Sequence, residues 1–134
     1  GVFIMMIEFL LVGTGGFIGC CMRYLISKLM IPLHLQLPLA TLFANVLAGF
    51  LIGFITGIEK NTAWITPKAK LFLTTGMLGG LSTFSTFGME TISLFMSADY
   101  IHAFANILFN LSFSFLGVIM GMMTAKLLFK NNIA

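Results

Sequence analysis

A cluster of glycine, hydroxyl and aromatic residues interrupts an apolar stretch in the second half of the chain. From Gly76 to Glu90 it reads Gly-Met-Leu-Gly-Gly-Leu-Ser-Thr-Phe-Ser-Thr-Phe-Gly-Met-Glu. Adjacent glycines followed by hydroxyl residues disfavour a continuous helix. In lipid, irregular backbone is tolerated only where it is buried in protein or lines a water-filled path. The pattern therefore predicts a functional break, with an ordinary but kinked helix as the alternative.

Two aromatic residues within this cluster have a spacing suited to an anion. Phe84 and Phe87 share a helix face, and Thr83, Thr86 and Glu90 lie at i, i+3 and i+7 on the adjoining face. A phenyl ring is positive at its edge, so it can accompany an anion without the tight grip of an ammonium group. Conduction requires such moderate binding. The pair also fits lipid-facing or packed positions, but the adjoining hydroxyls favour an anion path.

Amide side chains form two further polar features. Asn45 stands alone in an uncharged stretch, four residues before Gly49, while Asn106, Asn110 and Ser114 recur at i, i+4 and i+8. An amide in lipid needs a partner, so interhelical hydrogen bonds of about 1 kcal/mol each are one interpretation. Two polar stripes favour the other interpretation, in which donor amides face a polar path.

Two charged residues have roles that the sequence leaves open. Glu90 is a costly acid within an apolar segment and is either protonated, an acceptor from Thr86, or close to the membrane surface. Arg23 either extends to the membrane interface or attracts anions into a vestibule. His34 and His102 have no partners at ligand spacing, so we predict no metal bound by side chains.

The elements that position these residues follow from composition. Of 134 residues, 59% are hydrophobic and 8% are charged, which requires a lipid environment. Since a span needs roughly 20 apolar residues, the chain predicts an all-α membrane protein with one domain, 1–134. Its four transmembrane helices are expected at about 4–30, 39–58, 70–96 and 101–126, the third broken mid-membrane. The few scattered cations predict headgroup anchoring and no nucleic-acid partner.

Glycines recur four residues apart in three of the predicted spans. Small residues at this spacing let helix backbones approach closely in lipid, where no hydrophobic force drives helices together. These pairs predict tight helix packing, and they are Gly15 with Gly19, Gly49 with Gly53, and Gly117 with Gly121.

Three segments resemble the Fluc/CrcB family of fluoride channels, and the resemblance covers essentially the whole chain. The first is Gly-Gly-Phe-Ile-Gly-Cys-Cys-Met-Arg-Tyr at 15–24, and the second is Thr-Leu-Phe-Ala-Asn at 41–45, followed by Gly49 and Gly53. The third is Gly-Gly-Leu-Ser-Thr-Phe-Ser-Thr-Phe at 79–87. The third is the most specific, because it combines glycines, hydroxyls and two phenylalanines at fixed spacing.

The resemblance implies a dual-topology antiparallel homodimer in the bacterial inner membrane. Two copies inserted in opposite directions would form two pathways for passive, selective export of F⁻, lowering cytoplasmic fluoride and giving fluoride resistance. The implied partners are fluoride, a second copy of the chain and the lipid bilayer.

The resemblance also assigns roles to individual residues. Arg23 matches an arginine of the family's first helix, and the resemblance leaves its role open, with a vestibule as one candidate location. The backbone carbonyls of Gly79 and Ser82 match the positions that hold a central structural Na⁺ in both subunits. Asn110 joins the fluoride pathway through its own polar stripe. The family's pore asparagine, paired phenylalanines and polar track correspond to Asn45, Phe84, Phe87, Ser85, Thr86 and Glu90.

The charge distribution does not itself predict dual insertion. With four spans, the termini and the middle loop share one side of the membrane. Lys28 lies on the other side, either alone or together with Arg23. A bias of five cations against one or two favours a single orientation. The five cations are Lys60, Lys68, Lys70, Lys126 and Lys130.

Three other function classes compete with a channel. A four-span proton-coupled exporter needs an acid deep in its first span, whereas Glu8 is near the start and Glu90 follows the break. A non-transporting accessory subunit would explain the packing glycines but leaves the break without a purpose. An enzyme is not expected, because no nucleophile, base and orienting group cluster in the sequence.

Overall fold

The computed structural model describes residues 1–130, which form helices joined by short turns and contain no β-strand. The all-helical class is therefore confirmed for this range. A 3₁₀ turn at Ile31–Leu33 follows the first helix, and a π-helical segment at Leu71–Leu78 joins the third to the fourth. The α-helices are α1 (Val2–Met30), α2 (Leu39–Asn61), α3 (Pro67–Lys70), α4 (Gly79–Leu81), α5 (Phe84–Met96) and α6 (Tyr100–Phe129).

Three helical stretches are long and apolar enough to cross a bilayer. They are Val2–Leu33, Leu39–Asn61 and Tyr100–Phe129, and they contain the spans predicted at 4–30, 39–58 and 101–126. The span predicted at 70–96 is divided instead among shorter pieces, namely the end of α3, the π-helical segment, α4 and α5. A fourth crossing therefore stays a prediction.

Local chemistry explains where the shorter elements begin and end. Thr66 accepts a hydrogen bond from the Ala69 amide at 3.2 Å, and Pro67 occupies the first turn of α3, where its missing N–H costs nothing. Between α5 and α6, Ala98 takes a left-handed conformation with φ of 59°. Asp99 then caps α6 by accepting from the amide of His102 at 3.3 Å.

The most extensive helix contact joins α2 to α6, and glycines make it possible. A Cβ atom added at Gly49 would lie 2.7 Å from the backbone oxygen of Ser114, and one at Gly117 would lie 3.0 Å from that of Val46. Such distances leave no room for a side chain. The predicted packing role of these glycines is confirmed.

Helix α1 packs in the same way against the π-helical segment and α4. A Cβ at Gly76 would lie 2.8 Å from the Val12 oxygen, and one at Gly80 would lie 2.6 Å from the Gly16 oxygen. This packing places the extended residues Ser82 and Thr83, which follow α4 and which we call the interruption, between α1 and α2. Residues of α2 and of the segment before the interruption form the buried apolar core: Ala44, Ala48, Ile55, Leu78 and Leu81.

Candidate functional site

The helical run from Pro67 ends at Leu81, and the chain is extended at Ser82 and Thr83 before α5 begins. The amide nitrogen of Thr83 donates to Oδ1 of Asn45 at 2.7 Å, and Nδ2 of Asn45 donates to the Thr83 carbonyl oxygen at 3.2 Å. One side chain on α2 thus pairs with both the N–H and the C=O of Thr83 at the interruption. This pairing removes most of the cost of irregular backbone in an apolar environment.

The backbone carbonyls of Gly79 and Ser82 are among those that lose their usual helical donors at the interruption. In a continuous helix the Thr83 amide would donate to Gly79, and the Thr86 amide would donate to Ser82. The Thr83 amide instead donates to Asn45, and the Thr86 amide donates to Oγ1 of Thr83 at 3.1 Å. Thr83 therefore acts as the N-cap of α5. The carbonyl oxygens of Gly79 and Ser82 are the acceptors left behind.

Arg23 contacts the same interruption from α1. Its Nε donates to the carbonyl oxygen of Gly80 at 3.0 Å, and one terminal nitrogen lies 3.9 Å from Sγ of Cys20. The guanidinium thus lies at the carbonyl end of a helical run, where positive charge is favourable. The sequence did not indicate this contact, since it joins residues 57 positions apart.

A cavity of about 350 Å³ opens beside the interruption. The ring centroids of Phe84 and Phe87 are 5.6 Å apart, with their planes inclined by 56°. Phe84 is 79% exposed and Phe87 is 8% exposed, so one ring projects from the chain while the other forms part of its wall. Six of the predicted site residues line this cavity: Asn45, Gly79, Ser82, Phe84, Phe87 and Asn110.

The amide of Asn45 is fully engaged within the chain. Besides the Thr83 carbonyl, its Nδ2 donates to Oδ1 of Asn110 at 3.0 Å. Both amide hydrogens are thereby used, since an amide carries two donors. Asn110 in turn donates to Asn106, which is fully buried. In this state, Asn45 holds the interruption in place and presents no spare donor to the cavity.

A second cavity, of about 300 Å³, contains the other part of the predicted polar track. Thr86 and Glu90 line it, together with Thr41 on α2 and His34 in the turn after α1. Thr41 donates to Oε1 of Glu90 at 2.6 Å, whereas Oε2 of Glu90 is buried without a hydrogen-bond partner in residues 1–130. Of the three possibilities for Glu90, an acceptor role is observed, but the donor is Thr41 and not Thr86.

Some predicted residues lie outside both cavities, and some residues at the site were not predicted. Ser85 is exposed, with its Oγ 3.4 Å from Oγ1 of Thr83, and neither it nor Arg23 lines a cavity wall. Thr41 and Thr91 were missed. Their sequence signal was their spacing, since Thr41 is four residues before Asn45 on α2, and Thr91 is four residues after Phe87 on α5.

Comparison with known proteins identifies close relatives. A family model described as CrcB-like protein, Camphor Resistance (CrcB), matches residues 10–122. A protein of Ruminiclostridium cellulolyticum named fluoride-specific ion channel FluC is 44% identical over 122 residues, which cover 90% of this chain and 94% of the relative. Proteins of the same name from Clostridium perfringens and Nitrosospira multiformis are 46% and 39% identical, covering 90% and 86% of this chain and 94% and 90% of the relatives.

Proposed function

Because the chain belongs to the CrcB family, we propose that it is a fluoride-selective ion channel that lets F⁻ leave the cytoplasm passively. Its relatives are named as ion channels, and the family is one of channels and not of enzymes. Passive export would lower cytoplasmic fluoride and give fluoride resistance. The long apolar helices agree with a multi-pass membrane protein, and we propose the bacterial inner membrane as its location.

The observation that carries the proposal is the cavity wall shared by Asn45, Phe84, Phe87 and Asn110. Fluoride holds its hydration shell strongly, so a pore must replace water by several partners of moderate strength. Ring edges carry positive partial charge. The amide hydrogens of Asn45 and Asn110 pair within the chain and are donors that an arriving ion would have to take over, so this wall combines both kinds of partner. The cavity is also predominantly apolar, which disfavours an ion that stays fully hydrated.

We place the next part of the pathway along the first turns of α5. Ser85, Thr86 and Glu90 follow Phe84 in sequence, and Thr86 and Glu90 line the second cavity with Thr41. The hydroxyls of Thr83 and Thr86 are 3.0 Å apart. Hydroxyl groups rotate freely enough to donate or accept, so this row of side chains can exchange hydrogen bonds as an ion passes.

The proposed assembly is an antiparallel homodimer of four-span chains with two pores. Support comes from Phe84, because a large apolar ring that is 79% exposed at the edge of the first cavity leaves one wall of that cavity incomplete in a single chain. A second copy related by a two-fold axis in the membrane plane would complete the wall twice.

A structural Na⁺ at the dimer axis fits the interruption. The carbonyl oxygens of Gly79 and Ser82 are hard oxygen donors that have lost their helical partners, and Arg23 occupies only the Gly80 carbonyl. Two such carbonyls from each subunit would supply a neutral oxygen set for one cation. When bound, Na⁺ would neutralise the partial charge of these carbonyls and hold the two interruptions together. Groups of His, Cys, Asp or Glu that could hold a metal are absent from residues 1–130.

The decisive experiment is anion efflux from liposomes containing the purified protein. A fluoride electrode outside the vesicles records release, with chloride-loaded vesicles as the selectivity control and an ionophore to dissipate any proton gradient. We expect fluoride release without an imposed proton gradient and no chloride release. Fluoride retention combined with proton-coupled cation movement would replace the channel by the exporter.

Sodium is tested separately by replacement. Protein purified in Na⁺ is transferred to buffer in which a large organic cation replaces it, and cation content and dimer mass are measured. We expect one tightly held cation per dimer and loss of the dimer after its removal. A dimer without a bound cation, with unchanged fluoride efflux, would contradict the Na⁺ proposal and leave the channel proposal intact.

A further inference from the structure

A line of hydrogen bonds connects the interruption to the first turn of α5 by way of α6. Asn45 donates to Oδ1 of Asn110 at 3.0 Å, Nδ2 of Asn110 donates to Oδ1 of Asn106 at 2.9 Å, and Nδ2 of Asn106 donates to Oγ1 of Thr91 at 2.9 Å. Thr91 then donates to the Phe87 carbonyl oxygen at 2.8 Å. We call these four side chains, Asn45, Asn110, Asn106 and Thr91, the amide relay.

The amide relay runs in one direction throughout. An amide has donors on one side and an acceptor on the other, so each member's orientation is set by its neighbour. Turning Asn106 over would bring its NH₂ against the NH₂ of Asn110 and its Oδ1 against the Thr91 hydroxyl. Thr91 would then have to leave the Phe87 carbonyl in order to donate to Asn106. One reversal therefore disrupts several bonds.

Burial makes this orientation strict. Asn106 is fully buried, while Asn110 is 4% and Thr91 is 5% exposed. No bulk water can substitute for a missing partner at such positions, and an unpaired buried polar group is costly. Neither Asn106 nor Thr91 lines either cavity. Their routes to the first cavity are Asn110 and Asn45, which line it, and Phe87, which also lines it and whose carbonyl accepts from Thr91.

We propose that Thr91 and Asn106 are positioning residues that set which face of the Asn110 and Asn45 amides is turned toward the cavity. This inference rests on the proposed channel function and deepens it. Thr91 sets the orientation of the Asn106 amide, and Asn106 sets that of the Asn110 amide. The Oδ1 of Asn110 then holds the NH₂ of Asn45 between two acceptors, itself and the Thr83 carbonyl oxygen. The amide donors that a fluoride ion would have to take over from their partners within the chain thus depend on a hydroxyl that the ion does not touch.

The test compares Thr91→Val with Thr91→Ser. Valine keeps the volume of threonine but removes the hydroxyl, whereas serine keeps the hydroxyl. The matched control is Thr124→Val, because the Thr124 hydroxyl bonds only to its own helix at Met120. Fluoride efflux per folded dimer and the ¹⁵N–¹H side-chain amide resonances of Asn45 and Asn110 in micelles are measured for each variant.

We expect Thr91→Val to lower fluoride efflux about tenfold, as expected when one buried hydrogen bond is lost, and to shift both amide resonances. Thr91→Ser should restore both readouts, and Thr124→Val should change neither. If Thr91→Val yields little folded protein, Thr91→Cys keeps a weak acceptor and should give an intermediate effect.

Two results would overturn the inference. One is unchanged efflux with unchanged resonances in Thr91→Val. The other is a loss of thermal stability alone, with efflux per folded dimer and resonances as in the parent, which is what a purely structural role would give. Absence of fluoride efflux from the parent protein would refute the channel proposal, and the amide resonances would then decide the positioning role independently.

Discussion

Asn45 forms two hydrogen bonds with the backbone of Thr83, accepting from its N–H at 2.7 Å and donating to its C=O at 3.2 Å. A side-chain amide has the same donor and acceptor pair as a peptide group, so it replaces the helical neighbours that Thr83 lacks. The same side chain also lines the first cavity. The backbone at the interruption and the wall of the first cavity therefore depend on one residue.

Replacing Asn45 by aspartate separates these contributions. Asn45→Asp keeps an acceptor for the Thr83 amide but loses the donors to the Thr83 carbonyl and to Asn110. Each of these two acceptors left unpaired costs about 1–3 kcal/mol. We therefore expect a lower unfolding temperature and a reduction of fluoride efflux by about tenfold or more. Asn61→Asp is the control, since Asn61 donates only to Gly57 of its own helix. Equal effects of the two substitutions would contradict the role assigned to Asn45.

The paired phenylalanines should both be required for fluoride movement, and Phe84 should not be required for folding. Isoleucine removes the ring edge but keeps an apolar side chain, so Phe84→Ile and Phe87→Ile should each lower fluoride efflux about tenfold or more. Phe84 is largely exposed within the chain, and its substitution should leave the unfolding temperature of the monomer nearly unchanged. Phe17→Ile, at an exposed position on α1, is the control. Normal efflux from both cavity variants would exclude a path along these rings.

The contact between α2 and α6 should tolerate no side chain at Gly53. A Cβ there would meet the backbone oxygen and carbons of Val118, which cannot rotate away. We expect Gly53→Ala to lower the free energy of unfolding by about 1–3 kcal/mol or to prevent folding. At Gly88 an added Cβ has no atom within 4 Å, so Gly88→Ala should be neutral or favour the helix by about 1 kcal/mol. Melting in detergent measures both, and a stable Gly53→Ala protein would refute the packing.

The cap of α6 should make stability depend on pH in the acid range. A hydrogen bond from the His102 side chain holds the pKa of Asp99 below its usual value of 3.8. Because the ionised form is favoured in the folded protein, the cap contributes fully above about pH 4 and is lost as pH falls below that value. The unfolding temperature should fall less between pH 6 and pH 3 in Asp99→Asn, which accepts from the His102 amide without titrating. If the unfolding temperatures of the two proteins fell by the same amount between pH 6 and pH 3, this contribution would be excluded.

Composition and spacing alone predicted much of this architecture. The uncharged runs predicted the three long helices, and four-residue glycine spacing predicted which faces pack closely, because both depend on local sequence. The end of the helical run at Ser82 followed from Gly79, Gly80 and the hydroxyls after them. Six of the residues that line the first cavity were also named in advance, Asn110 from its polar stripe and Gly79 and Ser82 from the family resemblance.

Partners distant in sequence could not be predicted in the same way. The contacts from Arg23 to Gly80 and from Thr41 to Glu90 join residues 57 and 49 positions apart. Their formation depends on how helices rotate against one another, and a single sequence does not determine that rotation. The π-helical segment was missed for a related reason, since its widened turns reflect packing against α1 more than any local residue preference.

The pairing of the interruption also has a consequence for biogenesis. Arg23 and Asn45, the residues from other helices that pair with the backbone of Gly80 and Thr83, both precede those positions in the chain. During synthesis they emerge from the ribosome first, since a chain is made from its N-terminus. The irregular backbone can thus meet its partners as soon as it enters lipid, before α6 is complete. A circular permutation that moved α1 and α2 behind α5 would leave the interruption unpaired during insertion and should direct the chain to degradation.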